Sequence, residues 1–338
     1  MPDVVLCPLC RAKPKLLNAS HPGYQRPEVF AIYDCAFCDL QFAWPMRTDS
    51  GIYEHIYRQA DRVPGYDHYA RLAAGATAAA APLDWLASEG PAYWFIRDAM
   101  RTKLPAPAAD ASVVEIGSGL GYLTHALALA GYDVTGVDIS ATAVADATKH
   151  FGTRYECADA VDYAKSHPAS ASAAVMIEVL EHLPDPVSIV SAIYRLLKPG
   201  GFALITTPNK SVHRAADYWQ TDNPPVHLWW FSETSARRLA RLTGFDIELW
   251  DFTAYHHPGA EHRHVPSRPM KPPMLDEHGD LIVGGGRTSP ARRLKALRDE
   301  LLPAIKNYKR KRRRQAARQS WADEHGDAIG IVLTKPAA

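Results

Sequence analysis

The chain has 338 residues, of which 47% are hydrophobic and 22% are charged, and its formal net charge is +1. A chain of this length and composition can bury a large core, which excludes disorder as the default state. It contains no run of roughly 20 apolar residues that would cross a bilayer, and its N-terminus lacks the basic and apolar pattern of a signal peptide. We therefore expect a cytoplasmic protein.

Two CxxC pairs near the N-terminus predict a metal site. Cys7 and Cys10 form the first pair, Cys35 and Cys38 form the second, and 24 residues lie between them. Without export signals, this spacing favours metal binding over disulfide bonds. Four thiolates complete a closed tetrahedral zinc site, and zinc stabilises segments that lack a core of their own. We predict a structural zinc ribbon over residues 1–46, with four free buried thiols as the alternative.

Residues 47–108 are predicted to form a helical linker whose helices cover the ligand site. An alanine-rich run at 70–81 and an aromatic cluster at 93–95 lie within this linker. The proline-containing segment 105–109 then breaks the helical pattern and predicts a domain boundary.

Residues 109–252 alternate between strands and helices, which predicts an α/β fold with a doubly wound sheet. A final core strand is predicted within 326–338, after a long insertion at 253–325. Because the carboxyl ends of parallel strands line the ligand crevice, we expect this insertion to cover the substrate. The seven predicted strands are 113–116, 133–138, 155–158, 173–177, 202–206, 245–252 and 328–333, and the predicted helices between them are 122–130, 141–150, 186–197 and 233–243.

A glycine-rich turn follows the first predicted strand of this core. Residues 115–121 read EIGSGLG and are followed by an apolar helix. Glycines allow a tight turn and a close approach of the backbone to a ligand, and the helix N-terminus offers free N–H groups. The position at which a dinucleotide fingerprint has its third glycine is Tyr122, which argues against a dinucleotide.

Acidic residues are predicted at the ends of the next two strands. The Asp138 carboxylate can accept both hydroxyls of a ribose there, and Asp159 lies where the exocyclic amine of an adenine is commonly met. The predicted cofactor-binding residues are Glu115, Gly117, Ser118, Gly119, Gly121, Asp138, Ile139, Asp159, Ala160 and Glu178.

With these motifs, the sequence resembles the class I S-adenosylmethionine-dependent methyltransferases over residues 113–252 and the final strand. The resemblance includes EVLEHLPDP at 178–186, LKPGG at 197–201 and TPN at 207–209, in the order of the family. It departs from the family at the start of the fourth strand, which lacks a common acidic residue. The resemblance implies S-adenosylmethionine as the cofactor, and the alternative is another nucleotide-binding α/β domain such as a dehydrogenase.

The N-terminal segment extends the resemblance. A zinc ribbon that continues into DLQF at 39–42, Pro45, Tyr53 and Tyr57 looks like methyltransferases of bacterial glycan and natural-product assembly. Closed coordination by four cysteines leaves no position for a substrate, so we expect zinc to hold the shape of the ribbon.

Three ionisable residues follow the fourth predicted strand, at the mouth of the crevice. Glu178, Glu181 and His182 are spaced so that they converge on a first helical turn, and His227 follows the fifth strand and completes the set. Methyl transfer requires alignment and a reactive nucleophile. We therefore predict that these four residues are catalytic.

This E-x-x-E-H pattern with a downstream histidine is similar to the metal-assisted O-methyltransferases of ubiquinone assembly and those that cap small RNAs at a terminal 2′-hydroxyl. The resemblance implies that Glu178, Glu181, His182 and His227 bind a second divalent ion, Mg²⁺ or similar, which lowers the pKa of the substrate hydroxyl. Two alternatives remain open: a metal-free general base and a histidine that only packs.

The predicted function is methyl transfer to a hydroxyl of a small molecule, such as a sugar, a glycan or a natural-product intermediate. The alternatives are an RNA 2′-O-methyltransferase, a C- or N-methyltransferase of a nucleotide-activated sugar, and a zinc-ribbon interaction protein without turnover. Eight basic residues between 306 and 318 predict a clamp for phosphate in such a sugar or in RNA, or a solvated helix face.

Several further residues have less specific interpretations. Cys157 is expected to be buried in a strand. The adjacent Trp229 and Trp230 are expected to pack in the core, with a wall of the substrate pocket as the alternative. The histidines at 256, 257, 262 and 264 are expected to be solvated or to contact anions rather than a metal.

Overall fold

The computed structural model describes residues 4–49, 51–53, 67–105, 111–212, 223–252, 255, 273–282 and 328–337. The predicted histidine cluster at 256–264, the basic run at 306–318, Tyr57 and most of the predicted insertion lie outside the described residues.

The strands in chain order are β1 (Lys15–Pro22), β2 (Val29–Cys35), β3 (Leu40–Trp44), β4 (Ser112–Ile116), β5 (Asp133–Asp138), β6 (Tyr155–Cys157), β7 (Ala171–Ile177), β8 (Leu197–Pro208), β9 (Trp229–Trp230), β10 (Asp246–Asp251) and β11 (Ala328–Thr334). The α-helices are α1 (Asp67–Ala78), α2 (Pro82–Glu89), α3 (Pro91–Lys103), α4 (Tyr122–Leu129), α5 (Ala141–Phe151), α6 (Ala160–Ser166), α7 (Pro186–Leu196) and α8 (Glu233–Thr243), and short 3₁₀ helices lie at Leu180–His182 and Lys210–Val212.

The larger sheet has the architecture that the alternation of strands and helices predicts. In the described part of the chain it has seven strands, in the order β10-β11-β8-β7-β4-β5-β6. Strands β4 to β8 run parallel, and β11 pairs antiparallel with both β8 and β10. The strand order reverses at β4, and such a switch point opens a crevice at the carboxyl ends of the strands. The predicted seven-stranded α/β fold is confirmed.

Most of these seven strands differ from their predicted bounds by one or two residues, and the start of β8 differs by five. β8 begins at Leu197 rather than at residue 202, because Leu197 already pairs with Ala171 of β7. β6 has only three residues and lies at the edge of the sheet. Cys157 is therefore exposed, and the prediction that it is buried is wrong.

The N-terminal segment forms a second sheet that shares the core of the larger one. Its order is β1-β2-β3-β9, and β9 is supplied by Trp229 and Trp230, which pair with Phe42 and Gln41 of β3. Both tryptophans are buried, as expected, and the indole N–H of Trp229 donates to the Leu183 carbonyl at 2.6 Å. The division at residue 46 stays a prediction, because side chains from both sheets belong to one hydrophobic cluster.

A buried lysine also joins the two sheets. The ammonium of Lys210, beyond the end of β8, donates to Asp39 and lies 3.8 Å from Asp34. Both aspartates flank the second CxxC pair. The N-terminal segment is thereby tied to the carboxyl edge of the larger sheet, where the crevice opens.

Helices α1 to α3 pack on the other side of the core. Phe95 and Met100 of α3 are buried in one cluster with Leu204 of β8 and Val332 of β11. A Cβ at Gly330 of β11 would lie 2.9 Å from the Phe95 ring, so the close packing of α3 on the sheet requires glycine there. None of the described helices has both the length and the apolar character that a membrane span requires.

Candidate functional site

The glycine turn lies between β4 and α4 in the conformation that its sequence predicts. Gly117, Gly119 and Gly121 have φ angles of 74°, 49° and 78°, which L side chains rarely adopt. A Cβ at Gly117 would also lie 2.5 Å from Cγ2 of Val179. The N–H groups of Gly117 and Ser118 donate to the Val137 carbonyl, so the turn is held against β5 at the switch point of the sheet. The buried Ser118 hydroxyl has no hydrogen-bond partner among the described residues.

Asp138 ends β5 beside this turn. Its Oδ2 accepts a hydrogen bond from the Gly119 N–H and its Oδ1 accepts one from the Ser140 N–H, both at 2.8 Å. The residue is only 6% exposed, and burial raises its pKa. The two amides fix the carboxylate while each oxygen keeps a lone pair, which suits the two hydroxyls of a ribose.

The next residues of the predicted cofactor site are exposed at the same edge. Ile139 is 74% exposed and offers an apolar surface beside Asp138. Asp159 follows the end of β6 rather than closing the strand, and it caps α6 by accepting from Val161 N and Asp162 N through Oδ1. Ala160 begins that helix. The assignment of these residues to an adenine site stays a prediction.

Glu115 is buried beneath the glycine turn rather than facing the crevice. It accepts a hydrogen bond from the Thr124 hydroxyl of α4. Burial raises the pKa of Glu115 to about 8. Its predicted contribution to cofactor binding is therefore support of the turn from below.

The raised pKa predicts how stability changes with pH. Relative to its ordinary value of 4.5, the Glu115 carboxyl binds its proton more tightly in the folded state. Its contribution to stability is complete below pH 4.5 and is lost as the pH rises towards 8. The loss approaches about 1.4 kcal/mol for each pH unit in that window. A Glu115→Gln variant should lose this dependence, as measured by chemical unfolding at pH 5 and pH 8.

The exposed Glu156 of β6 provides the control, and Glu156→Gln should unfold with the pH dependence of the parent protein. An equal pH dependence in Glu115→Gln and the parent would contradict the assignment.

Glu178 lies directly after β7 with φ at 50°. Its N–H donates hydrogen bonds to the carbonyl oxygen of Thr206 at 3.1 Å and to the hydroxyl oxygen of Thr206 at 3.2 Å. Its Oε1 is enclosed, with no hydrogen-bond partner among the described residues. Burial and the nearby Glu181 carboxylate raise the pKa of Glu178 to about 8. A cationic ligand group would stabilise the ionised carboxylate there.

The prediction of an α-helical turn directly after β7 is wrong. The backbone of Glu178 lies in the left-handed region, and the segment Leu180–His182 forms a short 3₁₀ helix. Positions 178 and 182 therefore do not follow α-helical spacing. Glu178 lies near Glu181, but the group of potential ligand atoms that converge consists of the other three predicted catalytic residues.

Glu181, His182 and His227 do converge. One potential ligand atom from each lies within 4.8 Å of the others, and the ring centroids of the two histidines are 4.7 Å apart. Glu181 is fully buried and its Oε2 accepts from the Thr207 hydroxyl at 3.0 Å. A fixed carboxylate beside two imidazoles can stabilise a proton or a divalent cation.

The His182 ring is oriented by a backbone carbonyl. Its Nδ1 lies 2.5 Å from the Val226 oxygen, and because a carbonyl only accepts, Nδ1 carries hydrogen. Nε2 then holds the lone pair of the neutral ring, 3.9 Å from Oε1 of Glu181. The edge of the Tyr53 ring packs against His182, with ring centroids 6.0 Å apart. This tautomer leaves Nε2 ready to accept a proton.

The four predicted zinc ligands also converge. The sulfur atoms of Cys7 and Cys38 are 3.9 Å apart and those of Cys10 and Cys35 are 3.5 Å apart. Zn–S bonds of about 2.3 Å in a tetrahedron place sulfur atoms about 3.8 Å apart. The donor set and its spacing fit zinc.

The fold and this edge of the sheet define a class of protein: an α/β domain with a glycine turn and strand-end carboxylates at the switch point of its sheet. A family model described as a methyltransferase domain matches residues 55–249. Because this match covers more than half of the chain, the chain belongs to the methyltransferase domain family. It is a class I S-adenosylmethionine-dependent methyltransferase, as the sequence predicts.

Similar proteins include two curated enzymes. The ubiquinone biosynthesis O-methyltransferase of Thiobacillus denitrificans is 40% identical over 111 residues, which cover 31% of this chain and 48% of that protein. The enzyme of the same name from Methylococcus capsulatus is 38% identical over 109 residues, covering 31% and 46%. The chain thus spans about half the length of these relatives. A solved SAM-dependent methyltransferase from Archaeoglobus fulgidus is 16% identical, with a TM-score of 0.42 over 71% of this chain and 93% of that one.

Sequence reasoning missed three features of the site. Thr207 holds Glu181, although its TPN motif was recognised. Tyr93 and Tyr122 lie in recognised segments, but their contact joins α3 to α4 and depends on packing. The pairing of Trp229 with the N-terminal sheet left no local signal, because β9 has only two residues.

Proposed function

We propose that this methyltransferase acts on a hydroxyl group of a small molecule, such as a sugar, a glycan or a natural-product intermediate. The observation that carries the proposal is the convergence of Glu181, His182 and His227 at the carboxyl edge of the sheet. The two curated relatives are named as O-methyltransferases, which supports a hydroxyl as the acceptor.

The cofactor would lie along the carboxyl ends of β4, β5 and β6. Asp138 would accept the ribose hydroxyls, Ile139 and Asp159 would contact the adenine, and the glycine turn would carry the amino-acid end. S-adenosylmethionine supplies an electrophilic methyl group on a sulfonium, so the protein must mainly align the acceptor and remove its proton. The enclosed Glu178 carboxylate would stabilise the positive charge of the bound cofactor.

His182 is the proposed general base. Its Nδ1–H is committed to Val226 O, so Nε2 accepts the proton of the substrate hydroxyl. The buried Glu181 carboxylate stabilises the imidazolium that forms, because opposite charges attract strongly where water is excluded. His227, whose ring packs against His182, closes the other side of the site.

A divalent ion held by Glu181, His182 and His227 is the second candidate, favoured by the clustering of these ligand atoms. Such an ion would lower the pKa of the substrate hydroxyl. The distance of 3.9 Å between Nε2 and Oε1 is wider than the separation of about 3.0 Å between neighbouring ligands of an octahedral Mg²⁺. The spacing therefore supports the metal-free base.

Chelation separates these two candidates. Purified protein that retains its ribbon metal is incubated with methyl-labelled cofactor and fractionated metabolites, with and without a chelator. We expect label in a hydroxyl-bearing product under both conditions, identified by mass spectrometry. Loss of transfer on chelation, restored by Mg²⁺ or Mn²⁺, would contradict the metal-free base, and label only on nitrogen or carbon would contradict O-methylation.

The four N-terminal cysteines would bind one structural zinc ion. Because the metal would cross-link both CxxC pairs, Cys38→Ser should lose the zinc and lower the melting temperature. Cys157→Ser is the matched control, since Cys157 is exposed far along the chain and should leave both properties unchanged. Metal analysis and thermal unfolding test this, and full zinc content in Cys38→Ser would contradict it.

Thiolate ligation is favoured in a reducing compartment, which supports a cytoplasmic location.

A further inference from the structure

Two buried tyrosines meet above the first turn of α4. Tyr93 belongs to α3, and Tyr122 is the first residue of α4, directly after Gly121 of the glycine turn. Their hydroxyl oxygens are 2.5 Å apart, and their rings pack edge to face with centroids 5.9 Å apart. The residues are only 7% and 8% exposed. The pair therefore joins a covering helix directly to the turn.

One hydroxyl hydrogen of this pair has no acceptor. The two hydroxyl groups carry two hydrogens, and the hydrogen bond between them uses one of these. Neither hydroxyl has another hydrogen-bond partner among the described residues. A buried O–H without an acceptor is costly and calls for an explanation. A ligand that brings an acceptor to this place would satisfy it.

The position of the pair indicates an anionic acceptor. Tyr122 occupies the N-terminus of α4, where free N–H groups and the helix dipole favour negative charge. The nearest described cations on α3, Arg97 and Arg101, are both held by Asp84. Among the described residues of α3, the neutral Tyr93 hydroxyl is thus the donor that reaches the start of α4.

The pair also lies beside the carboxylate that suits a cation. Burial raises the pKa of Tyr93, and Glu115 and Glu178 raise it further, so its hydroxyl is near both carboxylates. A neutral hydroxyl donor and the enclosed Glu178 carboxylate thus lie within electrostatic reach of each other. A zwitterion that carries both an ammonium and a carboxylate group matches this arrangement.

We propose that the spare hydroxyl hydrogen of the Tyr93–Tyr122 pair donates to the α-carboxylate of the amino-acid end of S-adenosylmethionine. This inference rests on the proposed placement of the cofactor at the glycine turn. The tyrosine pair then contributes to the affinity for the amino-acid end of the cofactor and contributes nothing to the affinity for its nucleoside end.

The test compares two ligands by calorimetry. S-adenosylhomocysteine contains the amino-acid end, and 5′-methylthioadenosine keeps the nucleoside and thioether but lacks the carboxylate. In Tyr93→Phe/Tyr122→Phe, the Kd for S-adenosylhomocysteine should rise roughly tenfold to hundredfold, as for the loss of a hydrogen bond to a charged group. The Kd for 5′-methylthioadenosine should change less than twofold. The single variants should differ, and the weaker binder identifies the tyrosine that contacts the carboxylate.

Tyr132→Phe is the matched control, because Tyr132 is a buried tyrosine that precedes β5 at the opposite end of that strand from Asp138; both Kd values should stay at the parent level. Parent affinity for S-adenosylhomocysteine in the double variant, or equal weakening for both ligands, overturns the tyrosine proposal alone. Failure of the unaltered protein to bind either ligand overturns the cofactor placement as well. If the double variant does not fold, the Kd values of the two ligands are compared in the single variants instead, with the same criteria.

Discussion

Replacement of Asp138 by alanine is expected to abolish detectable binding of S-adenosylhomocysteine. The variant loses the carboxylate that would accept both ribose hydroxyls. It also leaves the N–H of Gly119 without its partner at 2.8 Å, which loosens the glycine turn. Two hydrogen bonds to a charged group together correspond to a loss of at least about a hundredfold in affinity. Isothermal titration calorimetry measures this directly.

Asp133, at the other end of β5, provides the matched control. It is exposed and lies 3.9 Å from Arg154 in a surface ion pair, and such pairs contribute little to stability. Asp133→Ala should bind S-adenosylhomocysteine as the parent does. Unchanged affinity in Asp138→Ala would show that the ribose assignment is wrong.

Substitution of His182 or Glu181 is expected to affect turnover and not cofactor binding. His182→Ala removes the proposed proton acceptor, and Glu181→Gln removes the buried charge that stabilises its protonated form. General bases contribute roughly 10²-fold to 10⁴-fold to rate, and we expect losses in this range. The measurement is transfer of labelled methyl groups to the active metabolite fraction, with the Kd of S-adenosylhomocysteine measured in parallel.

His150, exposed on α5, provides the control for this comparison, and His150→Ala should retain full turnover. Parent turnover in His182→Ala would refute the assignment of the base. A parallel loss of cofactor affinity would instead show that His182 acts through the structure of the site.

Local sequence signals predicted the parts of the site that depend on neighbouring residues. The glycine turn was predictable because Gly117, Gly119 and Gly121 serve conformations that other residues avoid. Asp138 was predictable because it ends the strand that follows the glycine turn and its helix. The strand and helix alternation predicted the α/β sheet, since parallel strands require crossover connections.

Other parts depend on packing that no short segment encodes. β9 becomes a strand only because β3 lies beside it, and Cys157 is exposed because β6 is a short edge strand. The convergence of Glu181 and His182 was predicted from helical spacing that the left-handed backbone of Glu178 does not follow, and His227 was predicted to join them because it follows the fifth predicted strand. The Tyr93–Tyr122 contact arises where α3 crosses the start of α4.

Competitive nucleotide titration of the purified protein tests the central claim most directly. S-adenosylmethionine and S-adenosylhomocysteine should each bind once per chain, with the amino-acid end at the glycine turn. Nicotinamide and flavin nucleotides should neither bind nor displace them. A protein that holds a nicotinamide or flavin nucleotide at this turn and shows no heat of binding with S-adenosylhomocysteine would contradict the account.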